Sequence, residues 1–184
     1  MLTSKKIALI SSFSALAIVL SLLPLYYPFP PIPFLKFDIA EVPLGILSLM
    51  TDPISSFLAS IIVGIFIIFR EGDPIGAFFK LLALASTFVP LAILRRKRKI
   101  IQISIPTMIR AIIMTMADYF LIPILYTPGH PTEELAALLG LSIIEFLAFV
   151  ALFNIIQALF NIIPAIILYE RIPEEWKSLF GAEE

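Results

Sequence analysis

The chain has no cysteine and a single histidine, His130. Without thiols there are no disulfide scaffolds, thiolate zinc sites or cysteine nucleophiles, and one imidazole cannot build a His-rich metal centre. Charge is scarce as well. Charged residues make up 15% of the chain, 13 basic against 14 acidic, for a formal net charge of −1. Soluble domains usually carry about 25%. That balance leaves no broad basic surface to hold nucleic acid. No Gly-x-x-x-x-Gly-Lys-Ser/Thr run, Gly-x-Ser-x-Gly elbow or His-Glu-x-x-His pair occurs, so the sequence offers no nucleotide loop, activated serine or zincin helix. His130 lies in a Pro-Gly-His-Pro turn and reads as an ordinary loop residue. Catalytic residues, metal ligands and resident cofactors are not expected.

What the chain does have is apolar sequence. Sixty per cent of its 184 residues are hydrophobic and the mean hydropathy is +1.02. A soluble fold would leave far too much of that surface facing water. The fold class expected is therefore all-α and polytopic, one integral-membrane domain over 1–184.

Crossing a hydrocarbon core of about 30 Å takes roughly 20 apolar residues in a helix. The first run, 7–25, follows Lys5 and Lys6; a proline cluster rather than a small-residue cleavage site succeeds it, so it reads as a retained span. That cluster, 24–33, cannot be helical, because proline lacks an amide donor and restricts the residue before it; it reads as an extended loop. The run 39–50 is short, and Thr51-Asp52-Pro53 separates it from 54–69. Further spans fall at 75–94 and 104–126. The stretch 135–169 exceeds one span, with Gly140 and Ser142 dividing a surface helix from a last span near 144–169. Six transmembrane helices are the expected count, with five as the alternative. Lys5 and Lys6, the run 95–99, and Arg171 with Lys177 form three basic groups, which six helices place on one side. By the positive-inside rule that side, with both termini, is cytoplasmic.

Polar side chains at membrane depth are costly unless they meet a partner or a wet cavity. Lys80 lies one and a half turns into the fourth span, Asp118 and Tyr119 near the far end of the fifth. Asn154, Gln157 and Asn161 fall on one face of the sixth, by their i, i+3, i+7 spacing. That face suits interhelical bonding or ligand contact; with Lys80 and Asp118 it suggests a polar cavity. Lys80 and Asp118 are on oppositely running segments, so an ion pair between them is feasible. Lys36 and Asp38 precede the second helix, Asp38 in a capping position. Tyr26, Tyr27, Phe29 and Phe34 suit an aromatic belt or the lid of a site for a flat ligand. Arg110, near the cytoplasmic end of the fifth span, reads as snorkelling to the interface. In the first span Ser11-x-x-x-Ala15 has small-xxx-small spacing, which lets another helix approach closely.

Three stretches together resemble an S component, the substrate-binding membrane subunit of energy-coupling factor (ECF) vitamin transporters, and most of all the riboflavin-specific group. Lys36-Phe-Asp-Ile-Ala-Glu-Val-Pro43 is similar to that group's Lys-x-Asp-x-x-x-x-Pro before the second helix. Asp118-Tyr-Phe-Leu-Ile-Pro-Ile-Leu-Tyr126 resembles its Asn-Tyr-Phe…Pro…Tyr stretch, and Phe153-Asn-Ile-Ile-Gln157 its Phe-Asn-x-x-Gln/Lys. Ser11-x-x-x-Ala15 falls where the family carries the Ala-x-x-x-Ala face that docks on its coupling subunit. The resemblance implies a six-helix bundle that captures a vitamin, riboflavin first, in an outward-facing pocket. It also implies as partners a transmembrane coupling subunit and two separate ATPases, besides membrane lipid. Phe34, Tyr119 or Tyr126 would stack on the ring, and Asn154 and Gln157 would bond polar edges. Lys36, Asp38, Lys80 and Asp118 complete the ligand-binding set, and Ser11 with Ala15 the partner interface. The chain departs from the group at Lys80 and Asp118, each standing where it tends to have asparagine. Those charges fit an internal ion pair or a different ligand. Another vitamin or small metabolite is the alternative, ahead of a membrane enzyme or structural protein.

Overall fold

The computed structural model describes residues 3–125 and 128–179. Helix α1 (Ser4–Leu22) leads into a hairpin of β1 (Tyr26–Phe29) and β2 (Ile32–Asp38). Helices α2 (Val42–Met50), α3 (Pro53–Glu71), α4 (Pro74–Ile93), α5 (Lys99–Leu125), α6 (Thr132–Leu138), α7 (Ile143–Arg171) and α8 (Glu174–Leu179) follow.

Local chemistry sets the helix ends. Asp52 caps α3 by accepting from the Ser55 amide, with Pro53 in the first turn, where a missing amide costs nothing. Asp73 does the same for α4 through the Ile75 and Gly76 amides, ahead of Pro74. Ser142 and Glu145 form a reciprocal capping box at the start of α7. Gly140, at φ +73°, makes the left-handed turn that parts α6 from α7, as expected for that pair of residues.

The proline cluster is extended, as the sequence dictates, but it is not a plain loop. Tyr26 pairs with Asp38, Tyr27 with Phe37 and Pro28 with Lys36, with an irregularity before Phe29–Ile32. A two-stranded ribbon has only edge strands, so Pro28 and Pro33 can sit on its unpaired side. The all-α expectation is corrected to that extent.

Five helices among the described residues are long and apolar enough to cross a membrane: α1, α3, α4, α5 and α7. Helix α2, where the sequence suggested another span, has nine residues and rises only about 13 Å. It survives because α1, α3, α4 and α7 pack around it and all but Ile46 of its residues are buried. Such a broken pass is tolerated where protein rather than lipid covers the backbone. Contacts between the helix ends gather the basic groups together. Lys6 pairs with Asp52 at 2.5 Å, Lys99 with Glu170 at 2.5 Å, and Arg95 donates to the Thr51 carbonyl. The starts of α1, α3 and α5 and the ends of α4 and α7 therefore share one end of the bundle, and the hairpin and α6 lie at the other.

Candidate functional site

Between the hairpin and the helices lies a cavity of about 760 Å³. Its wall takes residues from α1, the hairpin, α3, α4, α5 and α7. Hydrophobic packing fixes the hairpin above it. Phe29 and Ile32 are buried, and the Phe37 ring lies 4.8 Å from that of Phe153 and 5.6 Å from that of Phe29. Gln157 anchors the inner end of β2 from α7. Its Nε2 donates to the Asp38 carbonyl at 2.8 Å, and its Oε1 accepts from the Asp38 amide at 3.2 Å.

Below the hairpin runs a chain of charges. Lys80 Nζ lies 3.2 Å from Asp38 Oδ2 and 2.6 Å from Glu41 Oε1. The other Glu41 oxygen accepts from Arg110 Nη1 at 2.7 Å and from Asn161 Nδ2 at 3.0 Å. Arg110 also donates to Asn154 Oδ1 (3.1 Å) and Thr87 Oγ1 (3.3 Å). Glu41 is 2% exposed and Arg110 3%. Two acids and two bases balance, and neutral amides take up the remaining capacity, which is what burial of ions demands. Arg110 is thus not snorkelling. It points into the bundle because Glu41 awaits it there, at the covered start of α2.

Asp118 lines the same cavity from α5 and is 6% exposed, yet it makes no ion pair with Lys80. The feasible Lys80–Asp118 pair is therefore corrected: Asp38 and Glu41 hold the ammonium instead. Among the described residues, no basic side chain is paired with Asp118.

No family model matches the chain. A curated relative, the riboflavin transporter RibU of Staphylococcus aureus (strain TCH60), is 29% identical over 175 residues, covering 92% of this chain and 90% of the relative. A solved structure described as the S component of a bacterial ECF transporter matches with a TM-score of 0.74 and 28% identity. That match covers 94% of this chain and 98% of the other. In sequence and in fold the chain resembles ECF-type S components, and its curated relative is a riboflavin transporter. It belongs in the cell membrane as a multi-pass protein.

Of the ligand-binding residues expected from the sequence, Phe34, Lys36, Asp38, Lys80, Asp118, Asn154 and Gln157 line the cavity. Lys36 stands at its rim with Nζ 4.9 Å from the centre of the Tyr26 ring. Asn154 and Gln157 are engaged within the protein, Asn154 also donating to the Val150 carbonyl. Tyr119 is away from the cavity wall. Its ring packs on Phe120, and its carbonyl accepts from Thr132 on α6. Tyr126 falls outside the described residues. Ser11 and Ala15 are exposed on α1, while Leu9, Ile10, Ser14 and Ala17 face the bundle. His130 is exposed, 2.7 Å from Glu134. Glu41 carries the centre of the site and was not singled out by sequence. The available signal was an acid directly before Val-Pro at a helix start, in a chain with an otherwise unexplained Arg110 at membrane depth.

Proposed function

We propose that this chain is an S component that captures riboflavin from outside the cell and delivers it inward as the substrate-specific subunit of an ECF-type transporter. The observation that carries this reading is the aromatic-roofed, partly polar cavity of about 760 Å³, in a chain similar over 92% of its length to a riboflavin transporter. Small-molecule sites usually enclose about 300–1,000 Å³ with mixed apolar and polar walls. The bundle crosses the membrane six times, with α2 and the inner end of the hairpin making the second pass. Both termini are cytoplasmic, because the gathered basic end takes that side. The whole chain acts as one domain. Phe34 on the hairpin covers a flat ring, and Lys36, Asp38, Lys80, Asp118, Asn154 and Gln157 shape the polar part of the pocket.

Transport requires partners: a membrane coupling subunit, reached through the exposed Ser11–Ala15 face of α1, and two ATPases that supply the energy. The S component itself is a transport subunit rather than an enzyme. The test is direct. Protein purified without added ligand is expected to carry the yellow absorbance of a bound flavin, or, once stripped, to quench riboflavin fluorescence at one site per chain. A colourless protein that fails to quench riboflavin, yet is stabilised by another vitamin in a thermal-shift screen, overturns the ligand assignment and leaves the S-component fold standing.

A further inference from the structure

Among the described residues, every buried polar side chain on the cavity wall but one has a partner within the protein. Lys80 and Arg110 are held by Asp38 and Glu41. Gln157 is bonded to the Asp38 backbone, and Asn154 to Arg110 and Val150. Asp118 is the exception, buried and lining the cavity without a counter-charge. The charged groups on the elements around it are already engaged. On α4, Asp73 caps its helix and Lys80 is doubly paired; on α5, Arg110 holds Glu41. On α6, Glu134 meets His130 while Glu133 is exposed; on α7, Glu145 is committed to Ser142. On the hairpin, Asp38 faces Lys80 and Lys36 lies over Tyr26. Arg70, at the end of α3, also lines the cavity and has a partner of its own. Among the described residues no base pairs with Asp118, so its carboxyl faces the cavity without a counter-charge.

Resting on the riboflavin reading, we propose that Asp118 is a specificity-determining residue that meets the imide edge of the isoalloxazine ring as a neutral carboxylic acid. An imide presents carbonyl, N–H and carbonyl in a row. A protonated carboxyl matches two of these at once: its hydroxyl donates to a ring carbonyl and its own carbonyl accepts from N3–H. An ionised carboxylate accepts the N3–H but turns its second oxygen towards a carbonyl oxygen, and riboflavin, being neutral, brings no charge to balance it. Binding is therefore linked to protonation of this one side chain, which asparagine at the same place would mimic at any pH.

The experiment is a riboflavin fluorescence titration of the purified full chain from pH 5 to 9, beside Asp118→Asn and with 3-methylriboflavin as a second probe. Above the titration point of Asp118, the wild-type Kd is expected to rise about tenfold per pH unit, the limit for one linked proton. Asp118→Asn binds with a flat profile. Methylation of N3 is expected to weaken wild-type binding about tenfold or more at acid pH, because the N–H is gone. A flat wild-type profile, a slope that persists in Asp118→Asn, or undiminished binding of 3-methylriboflavin overturns the proposal while riboflavin binding itself stands. Absence of riboflavin binding at every pH overturns this proposal and the function it rests on together. Should Asp118→Asn fail to extract as a folded species, the wild-type pH profile and the methylated probe decide alone.

Discussion

At the scale of single residues, the decisive feature is that Arg110 and Glu41 are buried against each other rather than exposed to lipid or water. Replacing Glu41 by Gln leaves Arg110 with only neutral partners, Thr87 and Asn154. Removing one member of such a pair typically costs about 3–5 kcal/mol, because the other charge stays buried without compensation. Glu41→Gln is therefore expected to lower the melting temperature in detergent sharply. Glu41→Gln combined with Arg110→Met should recover much of the loss, since Lys80 and Asp38 then remain as a balanced pair. A double-mutant cycle on melting temperature checks this; additive losses would show that the two residues do not act together.

Among the elements, α2 owes its place to a close approach. A Cβ on Gly45 would lie 2.6 Å from Ala165 Cβ on α7 and 3.4 Å from the Phe88 ring on α4. Gly45→Ala must push these helices apart, at about 1–3 kcal/mol for overpacking. The start of α2 carries Glu41, so the same change should disturb the charge chain and weaken riboflavin binding; thermal unfolding and fluorescence titration read the two effects. Helix α1 gives the opposite expectation. Ala15 faces away from the bundle and away from the cavity wall, so Ala15→Leu should leave riboflavin affinity unchanged. Assembly with the coupling subunit and uptake into cells should both be lost, because a bulky residue blocks small-xxx-small packing. Co-purification of the partner subunits with the variant would remove α1 from the interface.

For the whole molecule, the contacts among Lys6, Asp52, Arg95, Thr51, Lys99 and Glu170 put every basic cluster at the end opposite the hairpin. The native chain lacks cysteine, so a single introduced thiol reports without background. Lys97→Cys is expected to resist a membrane-impermeant maleimide in intact cells and to react after lysis, whereas Glu133→Cys should react from outside. The reverse pattern would invert the proposed orientation.

Composition by itself determined that the chain spans a membrane, because no soluble fold can hide this much apolar surface. Local chemistry determined where most helices begin and end. Asp52-Pro53, Asp73-Pro74, and Gly140 with Ser142 act within a turn of their own position, so they are legible without a partner. The shared face of Asn154, Gln157 and Asn161 follows from helical period alone. Pairing across the bundle does not. Pro28 and Lys36 become neighbours only when the proline segment folds back into a ribbon. Lys80 joins Asp38 and Glu41 instead of Asp118 because α2, too short to span by itself, sets its first turn deep between α4 and α7. Tyr119 lies off the cavity wall, with its ring against Phe120. Hydrogen bonds join residues up to 120 positions apart in sequence, and which of several equally plausible charges meet is decided by packing. Asp118 was legible as a polar residue at membrane depth; that no base among the described residues pairs with it was decided only by the tertiary structure, which places Lys80 and Arg110 on Asp38 and Glu41 instead.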